Sequence, residues 1–244
     1  MPLTTLLPRV PRPVDAVLSR LRAAVVDGHY PAGEHLPPER QLAATLGVSR
    51  LTLRAAVAKL ESEGLVRARQ GEGVRVLDVM ENAGLAVLSH FDIIERPDML
   101  RSFLELRRAV AVEAVAQACT RATARDVAEL ERLAAQQAAE TDQARYLERD
   151  VAFARAVLRS AQAFATLLLF NTLIPISAAH PEFSEALVED RERSLAGYTV
   201  TIACIQGRDA EIARTVLRRA LELADGEVLK AIARRRRATK RAGR

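Results

Sequence analysis

Aromatic side chains are nearly missing from this chain: they make up 4% of 244 residues, and there is no tryptophan. Any core must therefore be built from Leu, Ala, Val and Ile rather than around stacked rings. Two cysteines, Cys119 and Cys204, are too few for a disulfide framework or a four-thiolate zinc site. Histidine is equally sparse, with His29, His35, His90 and His180 the full set. No apolar run follows a basic start, and Pro8, Pro11 and Pro13 interrupt the opening segment. The expected location is therefore the reducing cytoplasm. Nothing after residue 79 alternates with the period of a strand, and no repeat of solenoid length is present. A catalytic reading lacks its parts as well. The Ser and Cys candidates have no neighbouring His, and no glycine-rich loop is present to cradle a phosphate. No enzyme is expected.

What is present begins with length and apolar content. The chain is longer than one typical domain, and 49% of it is hydrophobic, which allows a sizeable core and excludes wholesale disorder. The net charge of +5 points to nucleic acid, but it is unevenly placed. Residues 1–79 carry eleven basic and eight acidic side chains, for +3. Residues 80–229 carry 17 basic and 23 acidic ones, for −6, while residues 230–244 hold eight basic and no acidic ones. A mildly basic front, an acidic body and a strongly basic tail imply separate jobs.

The front reads as three helices and a hairpin. Val14, Val17, Leu18, Leu21, Ala24 and Val25 share one helical face ending before Gly28. A short helical pattern over 39–46 is stopped by Gly47, and Ser49 is placed to cap a helix over 50–63 with Leu53, Val57 and Leu60 inward. Two β-prone runs, 65–69 and 74–77, are joined by Gln70-Gly71-Glu72-Gly73. From about residue 82 the pattern becomes long and Ala-rich. It predicts helices over 84–94, 98–119, 123–139, 143–160, 163–178, 183–206 and 209–237. Thr123 with Asp126 reads as an N-terminal capping arrangement, and Asp209 as a helix start. The expected fold is mainly α: a winged helix-turn-helix over 1–78, a linker over 79–83, an all-α antiparallel bundle over 84–233, and a disordered basic tail over 234–244.

A short helix, a glycine turn and a second helix opening on Ser49, Arg50, Thr52 and Arg54 is the arrangement that lays a helix in the major groove. Arg50 and Arg54 offer forked donors suited to guanine O6 and N7, and Thr52 suits a base or a phosphate. Arg40 opens the preceding helix, where it can reach the backbone or the groove. The hairpin would act as a wing, with Gly71 letting the main chain approach the minor groove. Residues 14–78 resemble the winged helix-turn-helix of GntR-type bacterial transcription regulators. The resemblance runs through Gly28–Arg40, Leu46–Arg50, Thr52-Leu53-Arg54, Glu63–Val66 and Gln70-Gly71. It implies operator contacts at Arg40, Ser49, Arg50, Leu51, Thr52, Arg54, Gln70 and Gly71. Leu51 is apolar where some relatives carry a polar residue, which leaves the base preference there open.

The all-helical second half resembles the FadR subfamily of these regulators. Many of its members bind a divalent metal through an Asp-x-x-x-His pair and two later histidines, and hold a carboxylate effector on that metal. The matching segment here is Asp150-Val151-Ala152-Phe153-Ala154, and the turn at Gly207 and Asp209 places the other two ligands at Tyr198 and Ala220. All three imidazoles are absent, and methyl groups offer a metal no lone pairs, so no metal cofactor is expected. Asp150 then reads as an ion-pair partner for an arginine such as Arg107. By resemblance Arg107 also matches a position that faces the effector, where it could hold a carboxylate or a coenzyme A phosphate.

The stretch 161–179 is the most apolar in the chain, but Gln162, Thr166, Asn171, Thr172 and Pro175 argue for a core helix rather than a membrane span. It either simply packs or lines an apolar effector cavity in which Ala154 and Ala220 free volume and Tyr198 offers a hydroxyl, so that the candidate effector contacts are Arg107, Asp150, Ala154, Asn171, Tyr198 and Ala220. The resemblance thus implies a homodimeric repressor of double-stranded operator DNA. Its effector would be a small molecule, a fatty acyl-CoA or another lipid metabolite, and it would have no membrane partner. The alternatives are a metal-dependent sensor of a small carboxylate or hydroxy acid, and an architectural DNA-binding protein that senses nothing. The basic tail is expected to add non-specific attraction to DNA.

Overall fold

A computed structural model describes residues 13–242 of the chain, and side-chain surroundings up to residue 238. The chain divides into two compact units, Met1–Phe91 and Asp92–Arg244. In the first, α1 (Pro13–Val26) turns Val17, Leu18, Leu21 and Val25 inward. They meet Leu53, Ala56, Val57 and Leu60 of α3 (Arg50–Ser62), which packs directly on α1. Leu60 and Ala56 are fully buried, and each large apolar side chain so placed contributes about 1.5–3 kcal/mol. α2 (Glu39–Leu46), which lies between them in sequence and packs on α3, is ended by Gly47 at φ +66, a left-handed turn that a Cβ would oppose. Arg22 of α1 clamps Glu63 at the end of α3 through two hydrogen bonds of 2.8 and 2.6 Å.

The hairpin expected over 65–69 and 74–77 is present, its first strand starting one residue later and its second lying one residue earlier. β1 (Val66–Arg69) pairs antiparallel with β2 (Gly73–Val76), in a register that sets Val66 opposite Val76 and Arg67 opposite Arg75. The segment 33–36 hydrogen-bonds the outer edge of β2, with Leu36 N–H donating to Val74 O and Val76 N–H to Glu34 O, each at 2.8 Å. The expected linker over 79–83 is instead structured. Asp78 caps a one-turn helix, α4 (Val79–Asn82), and Val79, Ala83 and Val87 pack on the first core. Gly64 fixes this arrangement: at φ +75, any Cβ there would lie 2.2 Å from Asn82 O. The predicted helix over 84–94 is a 3₁₀ turn over Leu85–His90, and it lies in the first unit rather than opening the second.

The second unit is all-helical: α5 (Pro97–Arg121), α6 (Ala124–Ala138), α7 (Gln143–Ser160), α8 (Phe164–Ala179), α9 (Pro181–Leu187), α10 (Arg191–Gly207) and α11 (Ala210–Ala242). α5 packs against α7, α8, α10 and α11, and buries Val112, Val115, Ala118 and Cys119 among Leu130, Phe153, Val157, Ile202, Ile205 and Leu217. Thr123 and Asp126 close a reciprocal capping box at α6, and Asp209 accepts from the Glu211 and Ile212 amides at the start of α11.

Three expectations need correction here. The helix read over 183–206 is two helices, because Asp190 caps a fresh start by accepting from the Arg193 amide. The 234–244 segment, expected to be disordered, continues α11 as far as Ala242. Arg235 there reaches Glu182 O and Glu185, and Arg236 clamps Glu95 at 2.9 and 2.8 Å. Finally, α8 is a core helix on one face only. Leu173 and Ile176 are buried, but Phe164 and Leu168 are 77% and 69% exposed and Asn171 is exposed. Among the described residues no single helix is long and apolar enough to cross a membrane.

Candidate nucleic-acid interface and a buried polar cluster

Helix α3 is built on its cap. Ser49 is extended and its hydroxyl oxygen accepts from the Thr52 amide at 3.1 Å, while the Ser49 and Thr52 hydroxyls lie 2.9 Å apart. This satisfies an N-terminal amide of α3 that would otherwise be open. Burial of Leu53, Ala56, Val57 and Leu60 fixes which face points away from the core: Leu51, Arg54, Ala55 and Ala58 are exposed on it. Arg54 is not a free fork, since its Nε donates to both Glu39 carboxylate oxygens, at 3.2 and 2.9 Å. That pair is exposed on both sides and is worth little, so it exchanges readily for another anion. Arg40 and Arg50 are exposed and make no ion pair among the described residues. Gln70 and Gly71 form the exposed hairpin tip, with Gly71 at φ +82 and open space where a Cβ would stand.

The second unit holds its polar groups inside. The Tyr198 hydroxyl of α10 donates to Asp150 Oδ1 of α7 at 2.5 Å, and the Tyr198 ring packs on Phe153 with centroids 4.4 Å apart. Burial pushes the Asp150 carboxyl above the usual carboxylate range, against the opposing pull of the Tyr198 hydrogen bond and the Arg107 cation. Burial also pushes the Tyr198 hydroxyl strongly up, with Asp150 adding to the effect. Arg107 does not form its ion pair with Asp150. Its nearest carboxylate is Asp225 of α11, at 3.8 Å, which Arg108 also engages at 2.6 Å. Asp225 is 4% exposed, and burial raises its carboxyl against the two arginines. Among the described residues four buried polar atoms have no hydrogen-bond partner: Arg107 Nε, Asp225 Oδ1, Gln137 Oε1 and the Tyr146 hydroxyl. Ala154 and Ala220 are half-buried, and Asn171, on the outer face of α8, is not brought to this interior. Beside the cluster, α5 and α11 border a groove of about 350 Å³ lined by Arg108, Arg214, Arg218, Glu105, Glu113 and Glu222.

Residues 13–76 match the family described as bacterial regulatory proteins, gntR family, and residues 102–223, half of the chain, match the FCD domain. The chain belongs to the GntR family. Within it, the sequence is 34% identical over 158 residues to an uncharacterised helix-turn-helix transcriptional regulator of Mycobacterium tuberculosis, covering 64% of this chain and 65% of that protein. It is 38% identical over 123 residues to an Escherichia coli regulatory protein named for the L-lactate dehydrogenase operon, covering 49% and 47%. The chain thus spans less than two thirds of the length of these curated relatives. The solved structure of Lar, described as controlling the agr system of Listeria monocytogenes, superposes with a TM-score of 0.61 at 19% identity, covering 93% of this chain and 99% of that one. At that identity it shows the fold alone.

A GntR-family FCD domain that binds a metal needs several converging donors, and the donor set here does not fit. Asp150 offers one carboxylate, already hydrogen-bonded by Tyr198, and Ala154 and Ala220 offer none. Among the described residues no three His, Cys, Asp or Glu side chains gather as a ligand set. Sequence reasoning overlooked two groups. Arg67, Arg69 and Arg75 share the exposed face of the wing, as the register Arg67 opposite Arg75 requires. Period-two spacing of arginines in the hairpin was the available signal. Asp225 was also missed, and no local pattern marks it.

Proposed function

We propose that this chain is a homodimeric repressor of the FadR type, a DNA-binding transcription regulator whose operator affinity is set by an anionic effector in the helical unit. The observation that carries the DNA reading is the capped α3 with Arg50 uncommitted in its first turn and Arg40 uncommitted at the start of α2, set beside a wing whose exposed face holds Arg67, Arg69 and Arg75. Contacts fall to Arg40, Ser49, Arg50, Leu51, Thr52, Arg54, Gln70 and Gly71, with the phosphate-facing arginines giving affinity and the first turn of α3 giving sequence. A dimer follows from half-site logic, because one reading helix meets only a few base pairs.

For the effector, support comes from the buried, unpartnered Arg107 Nε and Tyr146 hydroxyl, donors suited to a carboxylate or phosphate oxygen. An acyl-CoA also needs arginines for its phosphates, and Arg108, Arg214 and Arg218 line the neighbouring groove. The alanines at 154 and 220, where a metal site would need imidazoles, favour an effector with an apolar chain over a hydroxy acid held on a metal. The name of the E. coli relative supports a second reading, a small carboxylate such as L-lactate bound without metal. Effector and operator are linked reciprocally: whatever factor one imposes on the other's affinity is returned.

The test is calorimetric titration of the full chain with palmitoyl-CoA, palmitate and L-lactate, repeated with Arg107→Ala. Binding of palmitoyl-CoA that Arg107→Ala weakens at least tenfold is expected. Binding of L-lactate alone would move the assignment to the second reading. Independence of effector and operator binding would end the regulatory mechanism.

A further inference from the structure

We propose that Leu51 is a specificity-determining residue that reads the C5-methyl group of thymine in the major groove. A single exposed leucine on a protein surface ordinarily needs no explanation. This one stands 79% exposed in the first turn of the capped helix, next to Arg50 and on the same outward face as Arg54. Its hydrogen-bonding neighbours each have a partner to give up before they can meet DNA: Thr52 shares its hydroxyl with Ser49, and Arg54 is held by Glu39 in an exposed pair that can exchange. Arg50 and Leu51 are therefore the uncommitted groups of that turn. Farther along the same face come Ala55 and Ala58, whose lack of bulk lets the helix seat deeply and bring Leu51 down onto the base edges.

Among those edges, only thymine presents an apolar group in the major groove. The purine edges offer acceptors and donors there, which a leucine would strip of water and leave unpaired, and cytosine offers no methyl to bury at the equivalent position. Leu51 thus selects T·A both by burying the methyl and by penalising the alternatives. The inference rests on the DNA-binding reading above and assigns chemistry to one position within it.

The experiment uses the full chain, wild type and Leu51→Ala, and a randomised duplex library. Sequences enriched by the wild type are synthesised with each thymine replaced in turn by deoxyuridine, which removes only the methyl. Affinities are then read by fluorescence anisotropy at one fixed salt concentration. Two symmetry-related thymines, one per half-site, are expected to show the effect. Loss of one methyl weakens wild-type binding about fourfold, and loss of both about sixteenfold. Leu51→Ala binds the thymine and deoxyuridine duplexes equally well, and keeps the wild-type salt slope because no charge has changed. Its fold is checked by its melting temperature, which an exposed position leaves unmoved. Deoxyuridine tolerated at every thymine, or a methyl effect that persists in Leu51→Ala, overturns the assignment. Failure to enrich any sequence overturns the DNA-binding reading itself.

Discussion

Replacing Tyr198 by Phe isolates one oxygen. The ring keeps its 4.4 Å contact with Phe153, so no cavity opens and the transfer energy of the ring is retained. What is lost is the hydrogen bond to Asp150, an interaction with a carboxylate that contributes about 1.5–3 kcal/mol. Because Tyr198 is 7% exposed, water cannot readily take the place of its hydroxyl. A cost near 2 kcal/mol lowers the midpoint of a unit of this size by about 4–8 °C. The pH dependence carries the diagnostic. Burial already raises Asp150, and the Tyr198 hydrogen bond opposes that rise by favouring the ionised form. An acid whose folded pKa is raised supports folding most when protonated, below its unfolded value near 3.9, and loses that support as pH rises through the folded pKa. Without Tyr198 the folded pKa climbs further, so the loss on raising pH grows. The variant should therefore be much weaker than wild type at pH 7.5 and nearly equal to it near pH 4. Scanning calorimetry of the full chain, following the transition of the helical unit, measures both. A cost below about 0.5 kcal/mol, or one that does not change with pH, would refute the reasoning. In Asp150→Asn the Tyr198→Phe cost should lose its pH dependence.

Three further outcomes are expected. Gly64→Ala combines a left-handed backbone with a Cβ placed 2.2 Å from Asn82 O, and should destabilise the first unit by about 3 kcal/mol or more in urea unfolding; a loss under about 1 kcal/mol contradicts the close approach. His90 is held below its ordinary value by burial and by the Arg22 cation, against Glu63. Its neutral form therefore supports folding at pH above about 6.5, that support falls away as pH drops toward the folded pKa, and His90→Gln should flatten the acid limb of the first unit's stability curve. Arg236→Ala breaks the two hydrogen bonds to Glu95 at a cost of about 0.5–1 kcal/mol, and should leave the salt slope of DNA affinity unchanged. A slope reduced by about one would show that Arg236 neutralises a phosphate after all.

Local chemistry was the legible part. Gly47 as a helix stop, Ser49 as a cap and the Thr123–Asp126 box each involve residues within a few positions of one another, and residue type alone decides them. Legibility fails where partners meet across the fold. Nothing near Arg54 in sequence announces Glu39, nor does anything near Arg107 announce Asp225, which is buried on a helix more than a hundred residues away. Asp150 and Tyr198 were marked together only through a family resemblance, and the resemblance supplied the positions without the hydrogen bond that joins them. Composition misled at α8: uniform apolarity hides which side faces inward, and the side with Phe164 and Leu168 proved to face out. The break at Asp190 was overlooked for a related reason, since a capping residue inside a continuous helical pattern looks like any other polar position.

Charge shows most clearly why position outweighs count. The last fifteen residues carry more than the whole net excess of the chain, and on count alone they are the nucleic-acid surface. Yet the side chains seen there include Arg235 and Arg236, which hold Glu185, Glu189 and Glu95 within the acidic helical unit. Each such pair cancels in the far field, so it neither steers DNA nor releases a counterion on contact. The front unit, with an excess of only +3, keeps Arg40 in the first turn of α2 and Arg50 in the first turn of the capped α3, neither with a carboxylate partner among the described residues. An arginine with no ion-pair partner, held by a rigid element at the right place, does more for binding than several that are already neutralised. The −6 of the body has the matching explanation: its carboxylates pin its own arginines, and burial leaves the Arg107 Nε without a hydrogen-bond partner, the donor to which the proposed function assigns an anion.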